Sequence, residues 1–312
     1  MIGGAGAASF AMGGSVAINR IDTNTHSCIT KNADVTAGGS ITVKATETST
    51  LQAIAPGVAG SGGVSVGIAV VDNEVSRRLQ AAVSESTLDA ADGVYVQADS
   101  TSQQKTNGIG GAFGSTVGVV GSSARNRLSQ ETVSAIDEAS IVNSGEDVRV
   151  TSQVVNHVDT NVISGAGSAT FSLAGSVATV HLDVANWARI GAGVVVDAAR
   201  NVLVEAVDTT EVNSLTGMAA VGVAVAGAGA SVSTVQLHKT VLAEIGDGAE
   251  VQAATAADPR DEILVYDGEQ ASSSAFQQEL IRGVGVQATS NETITNLAAS
   301  GGVGLYAGVA GS

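Results

Sequence analysis

Side chains able to do chemistry are few in this chain and poorly spaced for it. The four histidines, His26, His157, His181 and His238, are dispersed, and Cys28 is the single cysteine. They cannot supply four zinc ligands at the usual spacings, and one thiol forms no intrachain disulfide. Cys28 is therefore expected as a buried small hydrophobe, and the histidines as surface or turn residues. The best acidic groups are Asp72-Asn73-Glu74 and the run Asp258, Asp261, Glu262. Each is expected to be a solvated turn; calcium ligation is the sharper alternative, although calcium-binding nonapeptides are missing. No lysine follows the glycine-rich stretches, so their glycine spacings do not make phosphate loops. A polysaccharide-cleaving site would need clustered carboxylates in an aromatic-lined groove. The chain has one tryptophan, Trp187, and three scattered tyrosines. No cofactor and no catalysis are expected, and a groove with two or more carboxylates on adjacent layers would argue the other way.

The elements that must carry these residues are set by composition and repeat. The chain has 312 residues, 44% of them apolar, which is enough to bury a large core. Aromatics make up only 3% against 39 glycines, a balance that suits thin stacked layers better than a core of large rings. With two prolines, extended backbone can run on with little interruption. The charge is one-sided, 30 acidic against 14 basic residues for a net of −16, and no basic stripe interleaved with aromatics exists. Nucleic acid is excluded as a partner on that ground.

A block of small residue, any residue, Ile or Val recurs at Ile29, Val83, Ile136, Ile190 and Ile245, with spacings of 54, 53, 54 and 55 residues. After each of the first four anchors comes a run of alternating apolar and polar residues: Ile41-Thr-Val43-Lys-Ala45, Val94-Tyr-Val96-Gln-Ala98, Val148-Arg-Val150-Thr and Val202-Leu-Val204-Glu-Ala206. Period two places Val43, Val96, Val150 and Val204 on one face and Lys44, Gln97, Arg149 and Glu205 on the other, as in half-buried strands. Turn formers precede them, for example Gly38-Gly39 and Asp92-Gly93. A third block, glycine-rich and apolar on both alternating faces, covers residues 57–71, 108–120, 165–180 and 217–235, with partial copies at 3–18 and 301–309. Both of its faces are expected to be covered.

The rhythm breaks once. The run Val284-Gly-Val286-Gln-Ala288 echoes the earlier strands, yet Val286 lies 82 residues after Val204. Three segments follow: tandem repeats over 1–251, an insertion over 252–282, and a resumed, incomplete repeat over 283–312. The insertion carries Pro259, the acidic run Asp258, Asp261 and Glu262, and a short predicted helix. Ser274 and Gln277 have capping-box spacing, Phe276 and Leu280 fall one turn apart, and Gly283 can end the helix. Insertions in repeat proteins emerge as surface loops and often form a binding face, so Asp258, Asp261, Glu262 and Phe276 are candidate contact residues.

A repeated unit of strands and tight turns predicts an all-β, parallel β-solenoid (β-helix) with a period of about 54 residues. Three coils of roughly 18 residues or two of roughly 27 would fill the unit, giving a rod on the order of 55 to 80 Å long. The stretches Gly-Ser-Gly-Gly-Val-Ser-Val-Gly-Ile-Ala-Val (60–70) and Gly-Val-Tyr-Val-Gln-Ala (93–98) resemble the repeat regions of giant bacterial surface proteins. These are the leukotoxin-like filamentous adhesins, related in architecture to filamentous haemagglutinin. The resemblance implies export through an outer-membrane pore, an extracellular or bacterial cell-surface location, and a role in attachment.

The first and last residues each read as the interior of a repeat, so the chain is expected to be a piece of a longer exported protein. Its expected role is a non-catalytic structural or adhesive segment giving reach and contact; a carbohydrate-binding or polysaccharide-degrading β-helix is the alternative. Expected partners are a surface protein or glycan of a host or neighbouring cell, and further copies joined end to end or side by side. The uncharged run 212–237 is long enough to cross a bilayer as a helix. It is rich in glycine and β-branched residues and in phase with the strands, so buried strands are expected and direct membrane insertion is not.

Overall fold

A computed structural model describes residues 3–254, 262–272 and 275–312. The chain is an all-β parallel solenoid. Three elements recur along it: a long strand, a tight turn and a second long strand, then a short strand at the corner. In one repeat these are β4 (Ile41–Ser61), β5 (Val64–Ser84) and β6 (Thr87–Ala90), and the next begins with β7 (Val94–Gly114). The remaining copies are β1 (Gly3–Ala7), β2 (Phe10–Ile29) and β3 (Asp34–Ala37); β8 (Val117–Asp137) and β9 (Ile141–Ser144); β10 (Val148–Ser168), β11 (Phe171–Ile190) and β12 (Val195–Ala198); β13 (Val202–Gly222), β14 (Ala226–Ile245) and β15 (Glu250–Ala253); and β18 (Val284–Gly304) and β19 (Ala307–Gly311). Like strands stack in parallel into sheet A (β1-β4-β7-β10-β13-β18), sheet B (β2-β5-β8-β11-β14-β19) and the short sheet C (β3-β6-β9-β12-β15).

Each repeat is thus one wide coil, and the expected coils of roughly 18 or 27 residues do not occur. The glycine-rich block supplies the end of one long strand, the turn and the start of the next. Six layers at about 4.8 Å make a stack under about 30 Å tall, whereas a 21-residue strand runs about 70 Å. The shape is a broad slab, not the expected rod.

The repeat residues form continuous columns. Val43, Val96, Val150, Val204 and Val286 pair in register through sheet A. Ile29, Val83, Ile136, Ile190 and Ile245 do so through sheet B. Both columns border the wide core enclosed by all three sheets, with Leu88, Val142 and Val196 from the short strands. Val286, in the last layer, is exposed.

Away from sheet C the two long sheets converge, and the core thins from Val, Ile and Leu to a small cluster of Ala112, Ala166, Ala174 and Ala220 with Val120 and Met218. Near the β4–β5 turn the backbones almost touch. A Cβ on Gly57 would sit 1.9 Å from the Ile68 carbonyl oxygen, and one on Gly67 2.2 Å from that of Gly111. Only glycine leaves room there.

Between the apolar zones lies a polar interior. Asn19 donates to Asn73 and Asn73 to Asn126, each at 2.8 Å. Arg77 is fully buried; it bonds Ser49 Oγ at 3.0 Å and Gln130 Oε1 at 2.6 Å, with Glu47 at 4.0 Å. Desolvation holds its pKa below the ordinary value, opposed by the Glu47 charge. In the last layer but one, buried Asp208 pairs with Lys239, which also reaches Glu292 at 2.7 Å.

Strand parity corrects several expectations. Cys28 is exposed, because its neighbour Ile29 faces the core and alternation turns Cys28 outward. Asp72-Asn73-Glu74 is no turn: it lies inside β5, with Asn73 buried in the asparagine ladder. Asp72 is held by Arg125 of the next layer at 2.8 and 2.9 Å, and Glu74 by Arg20 at 3.3 Å. The histidines are surface residues as expected, on strands rather than in turns; His157 contacts Asp159 at 3.0 Å and Glu211 at 3.2 Å. The run 212–237 is the end of β13, a turn and the start of β14. Among the described residues no helix is long and apolar enough to cross a membrane.

Candidate functional site

The inserted segment interrupts the regular outer face of sheet A. It forms an antiparallel hairpin, β16 (Ile263–Ser272) and β17 (Ala275–Ile281). The predicted short helix is absent: residues 275–281 are extended, with Ile281 opposite Ile263 and Glu279 opposite Val265. Apolar residues in alternation at Ile263, Val265 and Ile281 find an outward-facing partner in Leu203, and that burial outweighs local helix signals.

Room for the hairpin comes from the strand beneath it. In the outward column Thr42, Tyr95, Arg149, Leu203, Gly285, the last member has no side chain. A Cβ at Gly285 would lie 3.0 Å from Val265 and 3.2 Å from Ile263. The adjacent outward column is Lys44, Gln97, Thr151, Glu205, Gln287. The Tyr266 backbone N–H donates to Gln287 Oε1 at 2.9 Å, and the Gln287 amide donates to Glu205. Gln287 thereby ties the hairpin to the sheet.

Beside the hairpin runs a groove of about 420 Å³, lined by Lys44, Gln97, Asp99, Gln153, Glu205 and Tyr266. Lys44 pairs with Asp99 at 2.8 Å. Burial pushes the Glu205 carboxyl above the usual carboxylate range, while the Gln287 hydrogen bond and the charge of Arg149 pull in the opposite direction. The lining therefore offers amide, hydroxyl and carboxyl groups with little net charge, together with one tyrosine.

Protein-family models, curated proteins and solved structures yield no match to this chain. Its chemistry rests on the geometry alone. Asp99 and Glu205 are separated by two layers and by one outward column, about 11–12 Å between backbone positions. They do not sit on adjacent layers. Among the described residues no group of three or more His, Cys, Asp or Glu could hold a metal ion.

The residues singled out from the insertion contribute unevenly. Asp258 and Asp261 lie outside the described residues. Glu262 forms an ion pair with Arg282 at 3.4 Å at the base of the hairpin, away from the groove lining. Phe276 lies in β17, opposite Gln270. The groove residues that sequence reasoning passed over are Gln153, Asp99 and Tyr266. Lys44, Gln97 and Glu205 had been placed on the polar strand face, and a search for what the insertion covers on that face would have found their neighbours.

Proposed function

We propose that the chain is a non-catalytic structural and adhesive segment of a large secreted or cell-surface filamentous protein, presenting a contact groove to carbohydrate on a neighbouring cell. The in-register coils support the structural half of this reading: each layer hydrogen-bonds along its full width, which gives a stiff repetitive body. The groove beside Tyr266 carries the adhesive half. Its lysine is paired with Asp99 and Glu205 is engaged by the Gln287 amide, so Gln97, Thr151 and Gln153 are left to exchange hydrogen bonds with an uncharged polyhydroxyl chain. A tyrosine at the edge supplies an apolar surface for a sugar ring.

A glycan array followed by calorimetric titration of the best oligosaccharide tests the proposal. Tyr266→Ala and Gln153→Ala are each expected to weaken binding about tenfold, and excision of residues 262–281 to abolish it. Failure of every glycan to bind, or binding indifferent to all three changes, would remove the adhesive half; release of reducing ends from the bound oligosaccharide would establish an enzyme instead.

A further inference from the structure

Residues 3–19, 48–71, 106–124, 160–182, 212–238 and 293–312 contain no Asp, Glu, Lys or Arg. The winding of the chain brings these runs together. Each is the end of a sheet A strand, the turn and the start of a sheet B strand, so the whole margin of the slab opposite sheet C is uncharged. Its two outer faces were expected to be covered, yet both are open. On sheet B, Ile68, Phe171, Leu173 and Val177 point outward with 37–44% of their surface exposed.

We propose that this margin is a homotypic interface, in which two copies of the chain pack sheet on sheet through the outer face of sheet B about a two-fold axis. Four outward positions across and five to six layers high span on the order of 700 Å². That exceeds the largest apolar patch usual on a monomer, about 300–600 Å², and approaches the roughly 800 Å² per partner of a stable complex. Charge points to the same place. A chain of net charge −16 repels its own copies over the rest of its surface, and only here can two approach without juxtaposing carboxylates.

Relief selects the face. On sheet B the column Ile68, Gly121, Gly175 opens into an apolar trough of about 410 Å³, with Val177 at its rim. Nothing stands within 4 Å of a Cβ built on Gly121. A knob and a hole on one face are self-complementary under two-fold rotation, so each copy can seat its Ile68 in the trough of the other. On sheet A the Phe113 ring takes up part of the corresponding space, since a Cβ on Gly167 would meet it at 3.2 Å and one on Gly111 at 3.5 Å, while Gly165 stays open.

Sedimentation equilibrium of the whole chain tests this. The expected behaviour is a monomer–dimer equilibrium. Ile68→Lys combined with Val177→Lys should raise the dissociation constant by about a hundredfold or more, and Ile163→Lys combined with Val221→Lys on sheet A should change it less than about threefold. Circular dichroism checks that both retain the strand signal. Gly175→Leu, which fills the trough without introducing charge, should weaken the dimer about tenfold and keeps the test open should the lysine variants misfold. A chain monomeric at its highest soluble concentration overturns the proposal, as does equal loss in the sheet A and sheet B variants. Association that survives the sheet B changes would assign it to the strand edges and also overturn it. Flotation of a monomeric chain with phosphatidylcholine vesicles would assign the margin to lipid.

Discussion

The two ends of each coil solve the packing problem in opposite ways. At the sheet C end three sheets enclose a wide prism, filled by columns of Val43 and Ile29 type, and charged residues such as Asp89, Asp137 and Arg189 stand at this end. At the other margin two sheets close on each other until glycine, alanine and serine make up most of what lies between them, with room only for glycine at positions such as Gly57, and large apolar side chains such as Ile68 and Phe171 point outward. One end derives its cohesion from buried side chains. The other derives it from backbone proximity, and it leaves its apolar surface on the outside, where a partner can use it.

The contrast is most sharply broken from within. Gly57→Ala adds one methyl group where the Ile68 carbonyl lies 1.9 Å away, and it should cost about 3 kcal/mol or more. Val150→Ala removes two methyl groups from the wide core and should cost about 2 kcal/mol. Chemical denaturation of both variants measures the comparison, and a smaller loss for Gly57→Ala would mean that the sheets at the margin separate readily.

A change of comparable size is expected in the polar interior. Arg77→Met strands the nearly buried Glu47 without its counter-charge and should cost about 3–5 kcal/mol. Adding Glu47→Gln to the same chain should restore most of that loss. If the double variant is no more stable than the single one, the hydrogen bonds of Arg77 to Ser49 and Gln130 matter more than its charge.

Smaller effects are expected at the groove. The Glu205 carboxyl has a folded pKa above its unfolded value, so the folded chain binds the extra proton and this group's contribution to stability falls as pH rises through that window. Glu205→Gln should match wild type at a pH low enough to protonate Glu205 and melt about 1–2 °C higher at neutral pH. A gap that widens on acidification would contradict the assignment. The least consequential change is Arg125→Ala on the exposed face, which breaks the pair with Asp72 and should shift the denaturation free energy by less than about 1 kcal/mol.

Much of the molecule could be read from particular residues. Five anchors of Ile29 type about 54 residues apart required a tandem repeat, and the alternation around Val96 and Val150 required strands with one face inward. The 82-residue gap from Val204 to Val286 marked where the insertion departs. The groove was less legible: Lys44, Gln97 and Glu205 were visible as a polar strand face, but Tyr266 reaches them only because Gly285 opposite Leu203 lets a hairpin lie down on the sheet. The helix expected around Phe276 failed for the same reason, since burial of Val265 and Ile281 against Leu203 is a contact between segments far apart in the chain.

Period, strand alternation and the absence of charge in six separate runs are properties of neighbouring residues, and the sequence alone determined them. The number of residues per coil, the covering of Glu205 and the gathering of the uncharged runs on one margin were decided only by tertiary structure. Each depends on where the chain turns back on itself, and a glycine-rich stretch specifies that a close approach is allowed without specifying which backbone arrives.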